Sequence, residues 1–172
     1  MKGLGRVGAT SVMALATLVA APVAANAAPA HPVCDDYKSY KVTSHGVDNF
    51  VQTIPTVSLY NAGTTEATLS TNITITGTVS LSVTASITVE ASVIVAGAKG
   101  TVGATATVSL SAAYQTGASV KVLSHHTGYI KGGIFRGVTT GTYEHIDQIC
   151  RVTKGTVTAR TPYKIGYIVS GG

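Results

Sequence analysis

Between Leu69 and Val93 the chain alternates with a period of two, and that pattern commits the segment to β-structure. Even positions through Ser92 carry Ser, Thr, Asn or Glu, whereas odd positions, Thr71 aside, are apolar or small. A strand turns successive side chains to opposite faces, so the run has one dry face and one wet face. The wet face is hydroxylated and nearly free of charge. At roughly 3.3 Å per residue, one strand of this length would reach on the order of 80 Å, several times the usual strand. Gly77 leaves two readings open: one very long strand, or two collinear strands that meet at a bulge or bend.

After Gly97-Ala98-Lys99-Gly100 the alternation resumes with its parity changed, and Val102, Ala104, Ala106, Val108, Leu110, Ala112 and Tyr114 now share a face. A Gly-rich tetrad followed by a parity change predicts a hairpin whose tip is Gly97, Ala98, Lys99 and Gly100. Its polar face then holds Thr74, Thr76, Thr78, Ser80, Ser82, Thr84, Ser86, Thr88 and Glu90 on one strand. Thr105, Thr107, Ser109 and Ser111 supply the other. No apolar i, i+3, i+4 pattern persists elsewhere in residues 28–172, so no helix of consequence is expected there. Shorter strands are expected around Tyr40–Thr43 and Val51–Tyr60, with Pro55 at an edge or bend and Asn61-Ala62-Gly63 as a turn. Further strands are expected around Gly128–Val138, Gly141–Arg151, Thr156–Arg160 and Lys164–Val169. The fold class expected is all-β: an elongated antiparallel sheet or sandwich carrying a long amphipathic β-hairpin.

The first residues read as a secretory signal peptide over 1–27. Lys2 and Arg6 give the positive start, Val12 to Ala21 the apolar core, and Ala25-Asn26-Ala27 the cleavage site. The apolar run is shorter than the ~20 residues a membrane span needs. Residues 28–172 then form a single all-β domain in a secreted, extracellular protein. Cys34 and Cys150 are the only cysteines, and in an oxidising compartment they most simply form one disulfide. Closing so long a loop restricts the unfolded chain by about 4–5 kcal/mol in the entropic account.

Catalysis is not expected. His125 and His126 are adjacent, so on a strand they would point to opposite faces, and His145 and Asp147 lie two apart without a local metal or nucleophile motif. The Gly97–Gly100 tetrad is followed by no strand-to-helix transition that would make it a phosphate loop. No catalytic residue, metal ligand or cofactor is therefore assigned. Once Lys2 and Arg6 are removed, ten Lys and Arg stand against seven Asp and Glu. They are dispersed, so a nucleic-acid partner is not expected, and the mild positive charge suits a cell envelope or membrane surface.

The order Val57-Ser58-Leu59-Tyr60-Asn61, an alternating strand, a Gly-containing reversal, and Thr105-Ala106-Thr107-Val108-Ser109-Leu110-Ser111 is followed by Gly128-Tyr129-Ile130 through Gly141-Thr142-Tyr143. Over about residues 50–150 this resembles the pore-forming module of aerolysin-type toxins, the epsilon-toxin group included. The resemblance implies a β-protein that binds a target surface, assembles into a homo-oligomer and opens one hairpin per subunit into a transmembrane barrel. Two alternatives stay open. The ribbon can pack its apolar face on the protein's own second sheet. The chain can also serve as a non-lytic secreted adaptor or structural subunit, whose strand edges pair with a protein partner in an umbrella-type toxin particle.

Overall fold

A computed structural model describes residues 33–171; the expected signal peptide lies outside them. Within the unit that begins at Pro32 the fold is mostly antiparallel β. Nine elements follow one another: β1 (Tyr37–His45), β2 (Asn49–Gln52), β3 (Val57–Tyr60), β4 (Ala67–Ser80), β5 (Ser82–Ala85), α1 (Ala91–Val102), β6 (Ser109–Val122), β7 (Thr127–Ile146) and β8 (Val152–Ser170).

The central strand is β7, twenty residues long, which the sequence divides into two around Val138 but which runs without interruption. Strand β8 pairs along its length, from Ile146↔Val152 to Tyr129↔Ser170. The opposite edge of β7 is shared in tandem by β1, β2 and β3, with Pro55 in the link between the last two as expected. Strand β5 adds to the N-terminal half of β8, completing a six-stranded sheet. Strands β4 and β6 form a separate two-stranded sheet.

Two apolar clusters hold these layers. The first joins Ile73, Ile75 and Val79 of β4, and Ala112 and Ala118 of β6, to Ile130 and Ile134 of β7. The apolar face of the alternating ribbon is thus covered by the protein's own sheet. The second gathers Tyr40, Tyr143, Val157 and Ala159 under Ile94 of α1, with Leu81, Val83, Ile87 and Val89 packed around it. Cys34 and Cys150 are joined in a disulfide, as the cysteine count predicts, with Cα atoms 5.2 Å apart.

Two expectations are corrected. The alternating run is not one strand: it leaves its sheet after Ser80 and joins the other sheet at Ser82. The division falls at Leu81 and not at Gly77, which stays in register with Ala112 at a φ of 121° that suits a residue without Cβ. The expected tip is not a turn either. Gly97, Ala98, Lys99 and Gly100 lie inside α1, the helix that hydrophobic periodicity did not disclose.

Candidate functional site

The site is the β4–β6 ribbon together with the segment 81–108 that connects its strands. On the ribbon, period two is obeyed along most of β4 and β6. Thr74, Thr76, Thr78 and Ser80 are exposed on β4, and Ser109 and Ser111 on β6, while Ile73, Ile75, Val79 and Ala112 are buried; Gly77, Val108 and Tyr114, expected on the dry face, are exposed. Thr78 and Ser111 are hydrogen-bonded across the strands at 2.8 Å, and Ser80 Oγ donates to Ser109 Oγ at 3.5 Å. The outer face is a row of hydroxyls. At one end, Ser70, Asn72, Gly117 and Ser119 combine with Tyr167 of β8 around an open cleft of about 490 Å³.

The remaining residues expected on the polar face do not continue that row. Ser82 and Thr84 lie on β5, opposite Arg160 and Thr158. Ser86 and Thr88 are exposed in the link to α1. Thr105 Oγ1 donates to Tyr163 O at 2.7 Å, and Thr107 Oγ1 to Ser109 O at 3.2 Å, in the return from α1 to β6. Strand pairing with β8 and helix docking have won over the alternation, because burying Val83, Ile87 and Val89 with the second cluster removes their apolar surface from water.

Helix α1 is held by packing and by one end. Ile94 and Ala98 are fully buried and Val95 nearly so. Gly97 makes the approach possible: a Cβ there would come within 2.1 Å of Tyr40 O. Val102 packs over Gly137 of β7, where an added Cβ would meet Val102 Cγ1 at 2.5 Å. Beneath α1, Tyr40 donates to Thr139 Oγ1 at 3.2 Å, and burial pushes its phenol pKa up.

Glu90, the N-cap residue, makes no side-chain capping bond and turns its carboxylate to Lys38 Nζ at 3.1 Å; it also accepts from Ser92 Oγ at 3.0 Å. Lys38 lies 3.5 Å from Asp36, whose other oxygen meets His145 Nε2 at 2.8 Å. A chain of charged and polar groups thus ties the start of α1 to β1 and β7. The His145 hydrogen bond, followed by smaller contributions from Lys38, holds the Asp36 carboxyl below its ordinary range. The Lys38 ammonium does the same for Glu90, and hydrogen bonding to Glu90 raises Lys38 in return.

The chain matches no family model, no curated protein and no solved structure. Its function has to be argued from its own geometry. His145, Asp36 and Asp147 line a second cleft of about 340 Å³ with Gln148 and Ile149. Asp147, however, is engaged by Arg151 and by the backbone N–H groups of Ile149 and Arg151. His125 and His126 are both exposed in the turn that joins β6 to β7. Among the described residues no group of three or more His, Cys, Asp or Glu is placed to hold a metal ion. Sequence reading missed the Asp36–His145 and Lys38–Glu90 contacts. Nothing in the local pattern around these residues signals partners so distant in the chain.

Proposed function

We propose that this protein is an exported pore former, or the membrane-active component of a toxin, in which residues 81–108 change partners. The observation that carries this reading is a register. Pairing of β4 with β6 runs without a slip from Ala67↔Val122 to Ser80↔Ser109, and Leu81 N–H already donates to Val108 O at 2.7 Å. Extended at the same register, the ladder sets Leu81 against Val108, Val83 against Ala106, Ala85 against Ala104 and Ile87 against Val102. The other face sets Ser82 against Thr107, Thr84 against Thr105, Thr88 against Thr101 and Glu90 against Lys99. A one-residue slip would cross polar with apolar side chains throughout, and a two-residue slip would separate the segment's one acid from its one base.

Beyond the Leu81–Val108 rung the present fold makes no use of this complementarity. Thr84 pairs with Thr158, whereas Thr105 binds Tyr163. In the extended ladder the apex is Val93-Ile94-Val95-Ala96, an apolar tip, and Lys99 moves to the hydroxyl face opposite Glu90. Each arm, 81–93 and 96–108, is thirteen residues, or roughly 43 Å, which at ~45° of tilt covers about the 30 Å thickness of a hydrocarbon core. The lipid-facing positions carry no charge, and several copies together would close the edges that one hairpin leaves open. Helix α1 is also a poor helix by composition. Val93, Ile94, Val95, Thr101 and Val102 are β-branched, and Gly97 and Gly100 are interior, so its sequence favours the strand it would become. The disulfide is consistent with an extracellular protein and supports export.

The chain from Ala28 onward is expected to release dye from liposomes and to leave a detergent-resistant oligomer on a gel. Absence of both across several lipid mixtures and target cells would sink the reading. On liposomes, a Thr84→Cys/Thr105→Cys pair should cross-link, while Thr84→Cys/Thr101→Cys, four residues out of register, should not. Lys99→Glu should lower release about tenfold by setting like charges opposite one another in every subunit, and adding Glu90→Lys should restore it. Release without the Thr84–Thr105 cross-link would remove this register from the mechanism.

A further inference from the structure

The outer edge of β8 is covered unevenly. Strand β5 pairs with it only from Val157 to Arg160. Beyond that, Thr107 N–H reaches Pro162 O at 3.1 Å and Thr105 Oγ1 reaches Tyr163 O at 2.7 Å. From Lys164 to Ser170 β8 pairs with β7 alone, and no other strand among the described residues takes its free side. Alternate residues of that stretch therefore present backbone N–H and C=O groups outward, because a strand directs them to its two sides in turn.

The devices that usually blunt an exposed edge are missing here. Lys164-Ile165-Gly166-Tyr167-Ile168-Val169-Ser170 contains no proline, its one charge stands at its start, and it pairs with β7 in one register, the bulge at Tyr163 and Pro162 falling just before it. Tyr167, Ile168 and Val169 are 40%, 40% and 42% exposed, an unusual run of large apolar side chains on a strand rim. The other rim of the same sheet is handled differently. There β2 and β3 are only four residues each, with Pro55 between them.

We infer that the Lys164–Ser170 edge is a self-association surface, on which a second copy of this chain pairs antiparallel about a two-fold axis through Tyr167. The sequence is complementary to its own reversal at that centre. Lys164 falls opposite Ser170, Ile165 opposite Val169, Gly166 opposite Ile168, and Tyr167 opposite its copy. Aliphatic residues meet on one face, glycine gives room to isoleucine on the other, and the two lysines lie at opposite ends of the contact. Centres displaced toward the N-terminus bring the lysines closer to each other or to apolar partners, and each shortens the ladder. The contact is isologous, so it closes at two copies. A seven-residue ladder is a small interface, and the association belongs to the weak, concentration-dependent class. It needs only the folded chain and is independent of the pore reading.

Sedimentation velocity from about 1 to 100 µM is expected to show a monomer–dimer equilibrium. Ile168→Lys, a change at a part-exposed position, should leave melting unchanged and give monomer throughout. In an antiparallel pair, directly opposed Cα atoms lie about 4.5–5.5 Å apart, within disulfide reach. Tyr167→Cys should therefore oxidise to a covalent dimer. Ile165→Cys should not cross-link to itself, since two copies sit four residues apart along the ladder, roughly 13 Å. It should cross-link to Val169→Cys in a mixture. A wild-type protein that stays monomeric at 100 µM, a dimer indifferent to Ile168→Lys, or an open series of larger species would each overturn the inference.

Discussion

At the scale of single residues, Asn61 shows how one polar side chain can close a junction. It is buried to 7% exposure, donates through Nδ2 to Thr65 O at 2.8 Å and Val122 O at 3.0 Å, and accepts from Gly63 N–H at 3.0 Å. Its backbone continues the lock, accepting from His125 N–H and donating to His126 O. Asn61→Ala would leave the buried carbonyl of Val122 short of a donor, while that of Thr65 lies where water can reach it. We expect it to cost about 1–3 kcal/mol in urea unfolding, with the m-value unchanged. Residue type and spacing alone indicate a turn at Asn61-Ala62-Gly63. The reach to Val122 is not legible, because the two are 61 positions apart and no local pattern records a contact of that span.

Among the elements, the ribbon and the helix differ sharply in how far the sequence reveals them. Strands β4 and β6 announce themselves because one face is dry and the other wet, and burial of Ile73, Ile75 and Val79 follows their parity. The same parity misleads over 81–102. There Ile87 and Val89 are half-buried from a loop, and Ile94, Val95 and Ala98 are buried from a helix that contains two glycines. What holds α1 is tertiary: the fit of Gly97 against the Tyr40 carbonyl and of Val102 over Gly137. Gly97→Val would force a Cβ into that carbonyl while adding another β-branched residue to the helix. The expected result is a helix lifted from β1, seen as faster proteolytic nicking between residues 91 and 108 with the β-sheet circular dichroism retained. Equal nicking rates in Gly97→Val and wild type would contradict this account of the docking.

Across the whole described unit, the grip on segment 81–108 depends on pH through Asp36 just before β1, Lys38 on β1 and Glu90 at the head of α1. Asp36 and Glu90 have folded-state pKa values below their ordinary ones, so their contribution is present above about pH 4 and is lost as pH falls through the lowered values. Lys38 is shifted the other way, so its share is complete below about pH 10 and is lost only as pH rises through its raised value. The hold is therefore firm across the neutral range and fails first on the acid side. A dye on Ala96→Cys, an exposed position of α1, should gain rotational mobility between pH 6 and pH 3. Lys38→Met should produce the same gain already at pH 6, and unchanged anisotropy in both experiments would dismiss the ion pairs as a tether. The tandem arrangement on β7 bears on how the chain acquires its structure. Tyr37 is paired with Ile146, and the edge that receives β1, β2 and β3 is made by residues that follow them by some 65 to 110 positions. During synthesis, the first three strands have no template until β7 has been made. Such non-local pairing places folding in the slow, millisecond-to-second regime, with β1 waiting unpaired beside a cysteine whose partner has yet to arrive.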